Sequence, residues 1–134
     1  MKSNTRGLVA GAFDVIHPGY IMMLKEASSV CDYLVVALHK DPSLERPQKL
    51  KPVLSAKDRQ LVLESIRYID EVVMYSTESE LANLLNDLSI DIRILGEDYR
   101  DKHYTGLDTI PVYYCERTHG WSATKFKRKI KLQK

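Results

Sequence analysis

Two short apolar runs, Gly7–Gly11 (GLVAG) and Asp32–Leu38 (DYLVVAL), flank a stretch from Gly19 to Cys31 in which Ile21, Leu24, Ala27 and Val30 recur at helical spacing. A run with no polar alternation suits a strand covered on both faces, as in a parallel sheet. Strand, helix, strand within so few residues is a crossover unit, and its right-handed sense puts the helix against one face.

The same grammar repeats along the chain. Between His39 and Leu54 the sequence carries Pro42, Pro47 and Pro52 with Arg46, Lys49 and Lys51, which disfavours regular structure and suggests a functional loop. Ser55 starts a helix, with Asp58 at its positive end and Leu61, Val62 and Ser65 continuing a face toward RYIDEVVMY, whose EVVMY reads as a third strand. Thr77 with Glu80 forms a capping box opening a helix through Leu81, Leu84, Leu85 and Leu88, and DIRILG follows as a fourth strand. After the polar loop EDYRDKHYTG come IPVYY as a fifth strand, ERTHG, and a final helix from Ala123 to about Leu132 capped by Ser122.

Such alternation predicts an α/β protein, a Rossmann-like doubly wound parallel sheet of about five strands with helices on both faces. The 134 residues suffice for one domain, residues 1–134. Ligands of such sheets bind beyond the carboxyl ends of the strands. Those ends carry GAFDVIHPGY, the lysine loop, GEDY and ERTHGWSATK, so four chemically loaded segments are expected at one rim.

Charge and composition exclude more than they assign. A formal charge of +2 does not argue for nucleic acid, and the basic tail of Lys125, Lys127, Arg128, Lys129, Lys131 and Lys134 lacks interleaved aromatics, so it reads as a solvated helix face. Cys31 and Cys115 are far apart without metal-ligand spacing, which favours reduced structural cysteines. No apolar run is long enough to span a bilayer, and a cytoplasmic location without membrane association is expected.

In the first loop Gly11 allows a tight turn, Gly19 allows close backbone approach, and the helix starting there offers amides to an anion. His17 stands just ahead of that helix, where a protonated imidazole could reach a polyphosphate; on its own, a histidine at a turn also suits a structural hydrogen bond.

GAFDVIHPGY resembles the G-(T/S)-F-D-x-x-H-x-G-H signature of the cytidylyltransferase-like nucleotidyltransferases, the glycerol-3-phosphate cytidylyltransferases most of all. DYLVVAL, RYIDEVV, GEDY and RTHGWSATKF stand in that family's order and spacing, the last resembling R-T-x-G-I-S-(S/T)-T-x-I, so the likeness covers nearly the whole chain.

The resemblance implies a nucleotidylyl transferase fold that binds CTP with Mg2+ and lets a small phosphorylated acceptor attack it, pyrophosphate leaving without a covalent enzyme intermediate. It implies catalytic positions at His17, Lys51 and Arg117. Gly11, Ala12, Phe13, Gly19, Tyr20, Asp98, Thr118, Ser122, Ala123 and Thr124 would join those three at the nucleotide, and Asp14, Lys49 and Arg59 would serve the acceptor. Arg67 with YIDEV resembles a segment near a two-fold contact, which implies a homodimer.

Four departures from the pattern bear on chemistry. Tyr20 replaces the second signature histidine, and a phenol with a reference pKa of about 10 stays neutral near pH 7. Two readings stay open, an active enzyme with a remodelled phosphate site and a catalytically impaired relative that still binds nucleotide. His39, His103 and His119 are candidates to compensate. Ala12 and Ala123 lack the hydroxyls common at their positions, and no lysine near Leu81 matches the acceptor-phosphate lysine of the glycerol-phosphate enzymes. The loop after Gly96 offers Arg100, Lys102 and His103 instead, which suits a polyol, amino alcohol, sugar or amino acid phosphate.

Overall fold

The computed structural model describes residues 4–48, 51–106, 108–116 and 119–133. Among the described residues the strands β1 (Arg6–Gly11), β2 (Tyr33–His39), β3 (Glu71–Tyr75) and β4 (Ile92–Gly96) alternate with helices α1 (Pro18–Ser29), α2 (Ala56–Glu64) and α3 (Glu78–Asp87), whereas β5 (Val112–Cys115) follows β4 with only a short 3-10 turn between them and leads to α4 (Ala123–Leu132). All strand pairs are parallel, and the sheet order is β3-β2-β1-β4-β5. The order reverses at β1, which pairs with β2 through Val9 and Val36 and with β4 through Leu8 and Arg93. A crevice opens at such a reversal, beyond the strands' carboxyl ends.

The uninterrupted apolar strands feed two cores because successive side chains point to opposite faces. Val9, Leu34, Val36 and Leu38 pack with Leu24 and Ala27 of α1 and Leu63 of α2. Leu8, Val35 and Ala37 pack on the other face with Leu81 and Leu85 of α3. The expected doubly wound arrangement is therefore present, with α1 and α2 on one face and α3 on the other.

Local signals determine where the helices begin. Ser55 Oγ accepts from the Asp58 amide at 3.1 Å, Ser122 Oγ from the Lys125 amide at 3.1 Å, and Thr77 with Glu80 forms the reciprocal capping box. The face of α2 differs from expectation. Leu61 is 69 % exposed and Val62 is 38 % exposed, whereas Arg59 and Leu63 are buried. Long-range hydrogen bonds to Arg59 outweigh the apolar pattern there. Among the described residues no helix is long and apolar enough to cross a membrane. Cys31 and Cys115 are free thiols, and burial pushes Cys115 up to about 12, so it remains protonated.

Candidate active site

A cleft of about 1190 Å³ lies at the predicted rim. Its lining includes Gly11, Ala12, Phe13, Asp14, His17, Gly19 and Tyr20 from the first loop, Asp98 from the β4 end, and Ser122, Ala123 and Thr124 from the start of α4. Of the positions expected to act, Lys51 is exposed and outside that lining. Lys49, Arg117 and Thr118 lie outside the described residues.

The first loop is built around two buried groups. Phe13 takes φ +47°, an uncommon conformation for a bulky residue, while its ring sits in the core and against Tyr20 at 5.4 Å. Asp14 accepts from the amides of Val53 at 2.7 Å and Leu54 at 2.9 Å and from Lys127 Nζ at 2.8 Å. It thus ties the first loop, the proline-rich loop and α4 together, whereas acceptor binding was expected of it. Burial works to raise its carboxyl, but the Leu54 amide, Lys127 and the Val53 amide together hold it below the ordinary carboxylate range.

That depressed pKa has a thermodynamic sign. A carboxyl held low in the folded state contributes stability above its unfolded pKa of about 3.9, and loses that contribution as pH falls through the lower folded value. Asp14→Asn is expected to cost about 1–2 kcal/mol at pH 7. Urea unfolding at pH 7 and at pH 3 checks this; the gap between variant and parent should shrink at the lower pH.

Arg59, also expected at the acceptor, is 1 % exposed. Its guanidinium donates to the carbonyls of Leu54 at 3.0 Å, Ala12 at 2.9 Å, His39 at 2.7 Å and to that of Lys40. It braces three loop segments from behind and does not line the cleft.

At the start of α1, His17 is the cap. Its Nδ1 accepts from the Gly19 amide at 3.0 Å and its carbonyl accepts from the Tyr20 amide at 3.0 Å. Those two amides, expected to meet an anion, are therefore engaged within the loop. An accepting Nδ1 places the proton on Nε2, so the expected imidazolium is in this arrangement a neutral donor. The ring is buried, stacked on Tyr20 at 4.4 Å and on Trp121 at 5.6 Å.

The start of α4 offers a further place for an anion. Ser122 satisfies the Lys125 amide, and among the described residues no group accepts from the amides of Ala123 and Thr124. Lys127, Arg128 and Lys131 also line the cleft, one and two turns into α4. Arg128 and Lys131 are exposed, as expected of a solvated face, and Lys127 is paired with Asp14, so the basic helix borders the site along its solvent side. Spacing of 124, 127, 128 and 131 on one helix face was the available signal.

Beyond β2 and β4 the cleft ends in a polar group that sequence reading did not assemble. His39 and Arg93 are buried, with His39 Nδ1 and Arg93 Nε lacking hydrogen-bond partners among the described residues. Glu78 accepts from Thr105 Oγ1 at 2.6 Å, lies 3.3 Å from Arg46 and 3.8 Å from His39. Burial lowers the His39 pKa despite Glu78 and Glu45, keeping its ring neutral near pH 7. His103, Tyr75, Tyr99 and Tyr104 also line this end.

The family model described as cytidylyltransferase-like matches residues 8–129. The glycerol-3-phosphate cytidylyltransferase of Bacillus subtilis (strain 168) is 38% identical over 120 residues, covering 90% of this chain and 92% of that one. The bifunctional protein HldE of Campylobacter jejuni subsp. jejuni serotype O:6 (strain 81116 / NCTC 11828) is 34% identical over an alignment of 138 positions that covers 100% of this chain but 30% of that protein. Among solved structures, the lipopolysaccharide core biosynthesis protein from Thermoplasma volcanium GSS1 aligns with a TM-score of 0.65 at 22% identity, covering 84% of this chain and 95% of that one, a likeness of fold.

Proposed function

This chain belongs to the cytidylyltransferase-like family and is a nucleotidyltransferase, and from that premise we propose that it transfers the cytidylyl unit of CTP to a small phosphorylated acceptor. One observation carries the reading: the imidazole of His17 at the start of α1 and the start of α4, flanked by basic side chains, line one cleft.

In this reading a phosphate oxygen of the acceptor attacks the α-phosphorus of CTP as the bond to the β-phosphate breaks, and pyrophosphate departs with the electron pair. An ionised phosphate is already nucleophilic, so positioning and charge stabilisation do the catalysis and no general base is required. His17 donates from Nε2, Ser122, Ala123 and Thr124 present the α4 start, and Arg128 and Lys131 offset the triphosphate charge while Lys127 stays paired with Asp14. The loop lysines Lys49 and Lys51, together with Arg117 and Thr118, belong to the same proposal. Mg2+ would come with the triphosphate as part of the substrate and would offset phosphate charge. Among the described residues the trio of nearby candidate ligands is His39, Glu45 and Glu78, and of these Glu78 already meets Arg46 and accepts from Thr105.

The acceptor's tail meets the His39–Glu78–Arg93 end. Arg46 already faces the Glu78 charge, so a cationic tail finds no surplus negative charge, while hydroxyls find donors, acceptors and tyrosine rings. That favours a polyol or sugar phosphate over an amino alcohol phosphate. Two copies paired near Arg67 are also proposed, supported by exposed Leu61 and Val62 on the neighbouring helix; sedimentation at the monomer mass would remove that part.

Pyrophosphate release from CTP with magnesium is expected with at least one polyol or sugar phosphate, faster than from ATP. Silence with every triphosphate and acceptor from a folded protein would sink the transfer reading and favour a nucleotide-binding relative impaired at Tyr20.

A further inference from the structure

Tyr20 stands where the signature has its second histidine, yet its ring lies against those of His17 at 4.4 Å and Phe13 at 5.4 Å. It supports the first imidazole and brings no second one. Another histidine does reach the same point. A methyl group built on Gly19 would lie 2.8 Å from His17 Cε1 and 2.7 Å from His119 Cε1, so the edges of two imidazoles meet above the first turn of α1.

Their attachments match. His17 Nδ1 accepts from the amide two residues on, that of Gly19, at 3.0 Å; His119 Nδ1 accepts from the amide two residues on, that of Trp121, at 3.1 Å. Each bond leaves the ring proton on Nε2. Cε1 is bonded to both ring nitrogens, so two Cε1 atoms within 2.7 and 2.8 Å of one point put the two Nε2 atoms in one neighbourhood of the cleft, which both residues line.

We propose that His119, entering from the segment between β5 and α4, supplies the second imidazole donor to the phosphates of the bound triphosphate, in place of a histidine at position 20. The inference rests on the transfer reading above. In that reaction His119 Nε2–H hydrogen-bonds a non-bridging oxygen of the departing pyrophosphate; it forms no covalent bond, and its proton stays on the ring. Charge stabilisation at the leaving group is thus restored from a part of the chain far from the first loop.

His119→Asn separates donation from loop support, since its side-chain oxygen can still accept from the Trp121 amide while Nε2–H is lost. The variant should bind inorganic pyrophosphate about tenfold more weakly by calorimetry and turn over about a hundredfold more slowly. Adding Tyr20→His to His119→Asn should recover most of both losses. In the unaltered protein the His119 Nε2 nitrogen resonance should move when pyrophosphate is added. An unmoved resonance, a His119→Asn protein within about twofold of the parent in both assays, or a double variant no better than the single one overturns the inference. A parent that binds pyrophosphate through His119 but transfers nothing supports the inference and overturns the transfer reading, so the two fail separately.

Discussion

Turnover of Gly19→Ala is expected to fall by two to three orders of magnitude, roughly, with the fold retained. The added methyl would lie 2.7 Å from His119 Cε1, 2.8 Å from His17 Cε1 and 2.8 Å from Trp121 Cβ. Side-chain carbons do not approach that closely, so something must move. His17 cannot swing away cheaply, because its Nδ1 is bonded to the Gly19 amide and its ring lies against Tyr20 and Trp121. Trp121 Cβ is no loose chain end either, since the Trp121 amide is bonded to His119. The methyl therefore wedges the start of α1 from the loop preceding α4, separating the groups proposed to hold one triphosphate. A displacement of about 1 Å between catalytic groups costs on the order of a hundredfold in rate. Measured rates of pyrophosphate release within tenfold of the parent, at an unchanged melting temperature, would contradict this account.

The second large effect concerns stability. Arg59→Met is expected to cost on the order of 3–5 kcal/mol, because removing a buried charge with its donors strands the groups it served. The carbonyls of Ala12, His39, Lys40 and Leu54 all accept from this one guanidinium. Asp14 and Asp41 oppose the depression of its pKa that burial causes. No other side chain supplies a rigid fork of donors in that direction, so Arg59→Lys should recover only part of the loss. Urea midpoints for parent and both variants test this. A methionine variant within about 1 kcal/mol of the parent would mean the four carbonyls find water, and that the bracing ascribed to Arg59 is dispensable.

Much of this architecture could be read without coordinates because its causes are local. Ser55, Thr77 with Glu80, and Ser122 start helices through side-chain bonds that span three residues. The strands Glu71–Tyr75 and Ile92–Gly96 are continuous apolar or mixed runs between turn signals, and a run covered on both faces has little choice but a parallel sheet. Strand–helix alternation then dictates crossovers of one hand and a rim where loops collect. The His17 loop and the α4 start were legible as chemistry at that rim, through the motif they resemble.

Other features depend on partners remote in the chain. Composition presents Leu61 and Val62 as the buried face of α2, but the helix turns Arg59 inward, because carbonyls from three separate loops await a donor there. Lys127 reads as part of a solvated tail until Asp14, far earlier in the chain, is found 2.8 Å away. At Tyr20 the sequence leaves two readings open, and only the fold shows that His119, one of three candidates to compensate, stands beside Gly19. Periodicity and capping report energies exchanged among near neighbours, and these settle which elements exist and in what order. The protonation of His17, the inward turn of Arg59 and the company His119 keeps are set by contacts between distant segments, whose energies exist once the chain has closed around them.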